Sequence, residues 1–528
     1  MNPTFAHALR ATALAAALAT GAAQAQTSER ESLEVLRQTT LQLIEALVQQ
    51  GVLPADKAQA LIAQAEAKAR AAVAEQKKTE QNTVRIQYVP ESVRQQIANE
   101  VREEVVAQAK AERWGDVNAV PEWVDRFRFD GEIRVGYQRD MFDEANAPEF
   151  VFLTAGQNIG NTLIDRNRER VRARLGVTAR VTQDITAALR MSTGSSDDPV
   201  STNQTLGSYG NKYNFALDRA YLRARSQDFM PWMTTTAGRI PNPFFSTDLV
   251  WDDDLNFDGL ALQFDDPAAN ARVWRPFGVV GWFPLQNLER SSFNEARSKS
   301  LLAAQGGVEW VPSNDLRAKV GLAMYDYRNI SGVRNDAGDF TRDATQPAFR
   351  QKGNSLFNLS SPVDFAGPFG LAADYRLLNL TAALDYTLFN PVHLIVSADY
   401  VRNIGFDREK AFARSGLDLD KQDTGYMLRV AVGMPTMLLK GDWQLSLAYR
   451  YLEADAVLDA FTDSDFHLGG TNSKGFIVGA QYGLSRNTWM SARWLSSREI
   501  GGAHRTGSQV SNLPLSINTF QVNFHARF

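Results

Sequence analysis

The sequence predicts an all-β transmembrane barrel of about 16 antiparallel strands, preceded by a short α-helical segment with coiled-coil-compatible spacing. Three observations predict it. The stretch Thr519–Phe528 alternates strictly, with Phe520, Val522, Phe524, Ala526 and Phe528 on one face and Thr519, Gln521, Asn523, His525 and Arg527 on the other. From residue 125 onward such segments recur, joined by connections that alternate between short and long. No run approaches the roughly 20 apolar residues that a membrane helix needs, so any crossing is made by strands.

The totals agree. A chain of 528 residues is long for one soluble domain unless it is a large barrel. Its formal charge of −4 offers no polycation to nucleic acid. The absence of Cys excludes disulfides, thiolate metal sites and a Cys nucleophile. Mean hydropathy is slightly negative, as it should be when outward apolar and inward polar residues cancel.

Residues 1–25 read as a secretory signal peptide, with Arg10, an Ala/Leu-rich run and a small-x-small site at Ala23-Gln24-Ala25. Residues 26–120 read as a helical periplasmic segment. Leu33, Leu36, Leu43, Ile44, Leu47 and Val48 form a stripe, Gly51 and Pro54 interrupt it, Ala58, Leu61, Ile62 and Ala65 resume it, and Glu91–Arg113 is another helix. About two heptads fit a coiled coil; a helical hairpin that buries its own stripe fits as well. At Pro121-Glu122-Trp123 the period changes to two, so residues 121–528 are assigned to the barrel.

Strands are expected near 125–141, 164–181, 185–194, 214–226, 232–240, 256–265, 271–285, 298–311, 315–327, 374–388, 392–404, 423–434, 442–454, 473–484, 488–499 and 516–528. The weakest is 271–285, where Arg275-Pro276 spoils the alternation. Trp310, Tyr386, Tyr400, Trp443, Tyr449, Tyr451, Tyr482, Trp489 and Trp494 lie near strand ends, where aromatic girdles meet headgroups. An even strand count leaves both chain ends on the periplasmic side.

A barrel this wide leaves an aqueous channel, so function lives on its inner wall and in any loop that folds inward. Arg170, Arg172 and Arg174 share one inward face; Arg219, Tyr221 and Arg223 share another; Arg239 precedes the third long loop. That loop, at 241–255, carries Asp248, Asp252, Asp253 and Asp254 together with Phe244, Phe245 and Trp251 as apolar anchors. The expected arrangement is a constriction, acidic loop against arginine wall. Plainer alternatives are a solvated turn for Asp252–Asp254, a calcium site without EF-hand spacing, and arginines that merely pair with Glu132, Glu169 or Asp218.

The chain from Asp125 on, the run Ala237-Gly238-Arg239-Ile240-Pro241-Asn242-Pro243-Phe244, the Asn256-Phe257-Asp258-Gly259 start and Gly469-Gly470-Thr471-Asn472-Ser473-Lys474-Gly475 resemble the bacterial putative-porin family, and the closing Phe resembles the end of outer-membrane barrels. The resemblance implies an outer-membrane β-barrel channel and supplies no substrate. The expected function is a passive path for small hydrophilic solutes or, from the arginine ladder, an anion-preferring selective channel. It implies no catalytic residue, metal or cofactor. Expected partners are outer-membrane lipid and lipopolysaccharide, two further copies in a homotrimer, and peptidoglycan through the N-terminal helices, with no nucleic acid. An enzyme would need a nucleophile and base, yet none of His7, His393, His467, His504 and His525 sits in such a motif. A gated transporter would need about 22 strands and a plug.

Overall fold

The computed structural model describes residues 124–157, 159–266, 272–360, 367–501, 505–506, 509–510 and 514–528. The expected signal peptide (1–25) and helical segment (26–120) lie outside them.

Sixteen strands form the wall: β1 (Phe127–Phe142), β2 (Arg166–Arg180), β3 (Ile185–Thr193), β4 (Phe215–Ala224), β5 (Met233–Pro241), β6 (Asn256–Asp265), β7 (Trp274–Gln286), β8 (Lys299–Ser313), β9 (Leu316–Arg328), β10 (Arg376–Phe389), β11 (Val392–Asn403), β12 (Thr424–Gly433), β13 (Trp443–Leu452), β14 (Ser473–Ser485), β15 (Thr488–Glu499) and β16 (Ser516–Arg527). Each border falls within three residues of the sequence expectation. Every strand pairs antiparallel with the next, and β1 pairs with β16 from Glu132–Arg527 to Phe142–Ile517, which closes the barrel. Closure satisfies the backbone groups that an open edge would leave bare in lipid. No described helix is long and apolar enough to cross a membrane.

Parity divides the wall as lipid demands. On β16 Thr519, Gln521 and His525 are buried, while Phe524 is 45% exposed on the outside. Outward residues diagonal to each other in the register, Leu189 and Leu222 or Leu428 and Leu447, continue the apolar band. Tyr386, Tyr400, Tyr482 and Trp494 stand outward as expected of a girdle. Trp489 is a correction: it is buried inside, stacked on His525 at 4.6 Å. Its register partner His525 faces the bore, so parity places both rings there.

The proline that weakened β7 is accommodated by its position. The β6–β7 ladder ends at Asp265–Phe277, so Pro276 lies beyond it and costs no hydrogen bond to β6. Pro284 lies beyond the other end, past Leu260–Trp282.

The core sits inside the bore. Ile240, Leu249, Trp251, Phe257, Phe283, Leu301, Tyr325 and Leu377 form one buried cluster, supplied partly by wall strands and partly by the third long loop. Wall side chains cannot fill a 16-stranded cylinder by themselves, so the inward loop provides the missing apolar volume.

Candidate functional site

On β2, Arg168, Arg170, Arg172 and Arg174 alternate along one inward face, about 6.6 Å apart at a strand rise of about 3.3 Å. Each is held. Arg168 meets Asp140 at 2.6 Å, Arg170 donates to Gln138, Arg172 pairs with Glu132, and Arg174 pairs with Asp254. On β3, Arg190 donates from Nε to Asp218 at 2.6 Å. The register jumps from Arg190–Arg219 to Met191–Leu217, a bulge that lets Asp218 and Arg219 both serve the inside. Arg219 donates to Asn256 at 2.7 Å, and the Arg223 guanidinium lies 5.6 Å from the Tyr221 ring.

Arg239 does not join this wall. The register sets it opposite Ala220 and Asp258 at the last pair of the β4–β5 ladder, where it and Asp258 border a cavity that Asp218 also lines rather than the arginine face. It pairs with Asp258 at 3.1 Å.

The third loop leaves the wall through a kink. Gly238 and Gly259 face each other in register with φ of +120° and +139°. A Cβ on Gly238 would lie 2.3 Å from the Ala220 carbonyl oxygen, and one on Gly259 2.2 Å from that of Trp282. The loop then spans the bore. The Phe245 N–H donates to Gln305 on β8 at 2.8 Å, the Thr247 hydroxyl to Asp399 on β11 at 2.6 Å, and Arg429 on β12 to Asp248 at 2.7 Å. Trp251 anchors it, with its ring centroid 4.9 Å from Phe257 and 5.0 Å from Tyr325.

The four loop carboxylates have different surroundings. Burial alone would raise Asp248 and Asp254. Arg429 and Arg450 outweigh it at the first and Arg174 and Arg172 at the second, so both sit below the usual carboxylate range. Asp252 is pushed well up by burial and by the charges of Asp254 and Asp463, and its oxygens accept the Asp254 and Ser464 N–H groups. Asp253 is exposed to the bore; its recessed position and the charge of Asp248 raise it to about 6. Asp248 and Asp253 therefore border the open bore, whereas Asp252 and Asp254 tie the loop down.

Sequence reasoning missed a second inward loop, between β13 and β14. The Asp252 N–H donates to the Phe461 carbonyl at 2.8 Å and the Thr462 hydroxyl to the Leu249 carbonyl at 2.8 Å, so this seventh loop docks on the third. Arg450, fully buried on β13, donates to Asp463 at 3.1 Å and Thr462 at 2.6 Å. Asp465 meets Arg493 at 3.0 Å and Arg170 at 3.5 Å. Burial would raise Asp465, but Arg493, Arg170 and Arg134 bring it down to about 2. The run Asp459-Ala460-Phe461-Thr462-Asp463-Ser464-Asp465-Phe466 mixes acids with aromatic anchors as the third loop does. That was the available signal.

Two chambers lie on either side of these contacts. One, of about 470 Å³, is at the long-loop end and is lined by Arg166, Arg168, Arg170, Arg350 and Lys352 against Asp140, Asp198 and Asp465. The other, of about 350 Å³, carries Arg134, Arg170, Arg172, Arg429, Arg493 and Arg527 against Glu132, Asp248, Asp253 and Asp465. Gln138, Arg170 and Asp465 line both and form the boundary. Cations outnumber carboxylates on each side.

A protein-family model described as Putative porin matches residues 37–528. No curated protein matches. Among solved structures the chain is similar to OprB of Pseudomonas putida (10% identity over 77% of this chain and 96% of that one, TM-score 0.45). It is similar to an anion-selective porin from Comamonas acidovorans (12% identity, 76% and 99%, TM-score 0.40). It is also similar to the outer membrane channel DcaP of Acinetobacter baumannii (9% identity, 76% and 97%, TM-score 0.39).

Proposed function

The chain belongs to the Putative porin family and is an outer-membrane channel, and we propose that it is a passive, water-filled path for small hydrophilic solutes with a preference for anions. The observation that carries this reading is the boundary at Gln138, Arg170 and Asp465, where inward loops meet an arginine-lined wall. Arg170 and Arg172 supply the wall, Asp248 and Asp253 the facing charge, and Arg174 with Asp254 the anchor of the third loop. Charged rings of this kind select by sign as well as size. Because cations exceed carboxylates in both chambers, anions gain more than cations on entering.

The test is conductance of the refolded protein in planar bilayers under a potassium chloride gradient. A linear, unsaturable current with a chloride-preferring reversal potential is expected. A cation-preferring reversal potential would overturn the anion reading, and absence of conductance the channel reading. Block by one particular solute would favour a substrate-selective channel, the reading that the dense cation lining supports second.

We further infer a homotrimer in contact with lipopolysaccharide. Phe150, Leu153, Ile164 and Tyr209 stand exposed on the first and second long loops, and neighbouring copies would cover them. Chemical crosslinking that yields only monomer would count against it. The signal peptide, the coiled coil and peptidoglycan contact through residues 26–120 remain part of the proposal. Attachment of the barrel to isolated sacculi, lost on deletion of that segment, is the check.

A further inference from the structure

A third cavity of about 660 Å³ lies beside the outer chamber, within the size range of small-molecule sites. It is walled by the second loop at Ser195–Thr202, by the end of the third loop, by Phe349 of the fifth and by Leu458–Phe461 of the seventh. It shares Asp198, Ser201 and Phe349 with the outer chamber and no residue with the inner one, so it opens off the path rather than continuing it.

Its charge is the reverse of the chambers'. Six carboxylates line it against two cationic side chains, Arg239 and Lys299. Both cations are engaged: Arg239 with Asp258 at 3.1 Å, and Lys299 with Gln286 at 2.8 Å and with the Gln346 carbonyl. Two carboxylates are neutralised by wall arginines, Asp218 by Arg190 and Asp254 by Arg174. Asp459 is different. It is only 2% exposed, its Oδ2 makes no hydrogen bond, and Arg350 and Lys352 of the outer chamber only partly offset the burial that raises its carboxyl to about 7. A buried carboxylate oxygen without a donor costs free energy that an incoming N–H or ammonium would recover.

The apolar part of the lining mixes aliphatic side chains with the aromatic rings of Trp251, Phe257, Phe283, Phe349 and Phe461. Aromatic faces attract cations through their quadrupoles. A bare metal ion fits poorly, since no three carboxylate or histidine groups among the described residues converge on one point. Acids spread around a largely apolar chamber suit a larger body that carries its charge at one end.

We propose that this cavity binds an organic cation, an amine on an aromatic or aliphatic body, with Asp459 as its counter-ion. Asp198 and the exposed Asp197 add negative potential at the opening. The site lies outside the anion path and does not depend on that path's selectivity.

Benzylammonium chloride titrated calorimetrically at about pH 8, where Asp459 is mostly ionised, into the refolded full-length protein in detergent tests it, with benzyl alcohol and benzoate as comparators. Saturable binding of benzylammonium and none of benzoate is expected. Asp459→Asn should weaken binding by about tenfold or more, the scale of a lost hydrogen bond to a charged group. Should Asp459→Asn disturb the loops, Ser196→Lys places a cation at an exposed lining position without touching the core and should weaken binding comparably. Benzyl alcohol binding as well as benzylammonium, or unchanged binding in either folded variant, would overturn the proposal. Conductance measured on the same preparations separates the two ideas: the channel fails on absent conductance, the cation site on calorimetry with conductance intact.

Discussion

At the scale of single residues, Asp253 is the titratable group most exposed to the bore on the third loop. Its carboxyl is raised to about 6 by its recessed position and by Asp248, Asp254 and Asp463. It is therefore mostly neutral at about pH 5 and ionised at about pH 7.5. Raising pH adds a negative charge to the inner chamber, so anion preference should fall across that window. Lys352, in the outer chamber, is lowered to about 7 by burial and loses its proton in the same direction. His525 also lines the inner chamber. Reversal potentials of Asp253→Asn should lack the step near 6 and keep the rest. The same shift bears on stability. A carboxyl that binds its proton more tightly folded than unfolded favours the fold while protonated, a contribution lost as pH rises through about 6. At Arg170, which lines both chambers, Ala should lower the chloride-to-potassium permeability ratio on the order of twofold or more, read from reversal potentials. The sequence made Arg170, Arg172 and Arg174 legible because lipid forbids the opposite parity. It did not separate Asp252 from Asp253, because which acid is tied down depends on Ser464, more than 200 residues away.

At the scale of elements, strands were far easier to read than loops. Alternation is a local property, enforced in every wall strand by lipid on one side and water on the other. Even β7 survived Pro276, for a reason only the register shows. Trp489 was misplaced because a terminal aromatic suits a headgroup or a wet interior equally, and its stacking on His525 settles it. The seventh loop stayed hidden because its partners, Asp248, Leu249 and Asp252, belong to another loop. Two substitutions test how these loops are held. Gly238→Ala puts a Cβ against the Ala220 carbonyl at a positive φ, and should destabilise by about 1–3 kcal/mol or more, measured as a lower urea midpoint. Trp251→Ala should cost about 3–5 kcal/mol of the packing that docks the third loop. Its conductance should rise as the loop detaches, while unchanged conductance would mean that the loop does not restrict the path.

For the whole molecule, the closed cylinder with its core inside accounts for a mean hydropathy that looks soluble. The outer band is apolar, the bore is charged, and the aromatic cluster that a soluble protein would keep between layers sits within the lumen. The seam between β1 and β16 carries a further consequence for biogenesis. Strand β1 is synthesised first and β16 only after every other strand, yet each is the other's hydrogen-bonding neighbour. A ribosome product cut short before residue 516 would hold fifteen strands and two raw borders, a template for intermolecular pairing rather than a smaller pore. Quality control in the envelope would then see such fragments as aggregates, and insertion must wait until the final hairpin has been delivered.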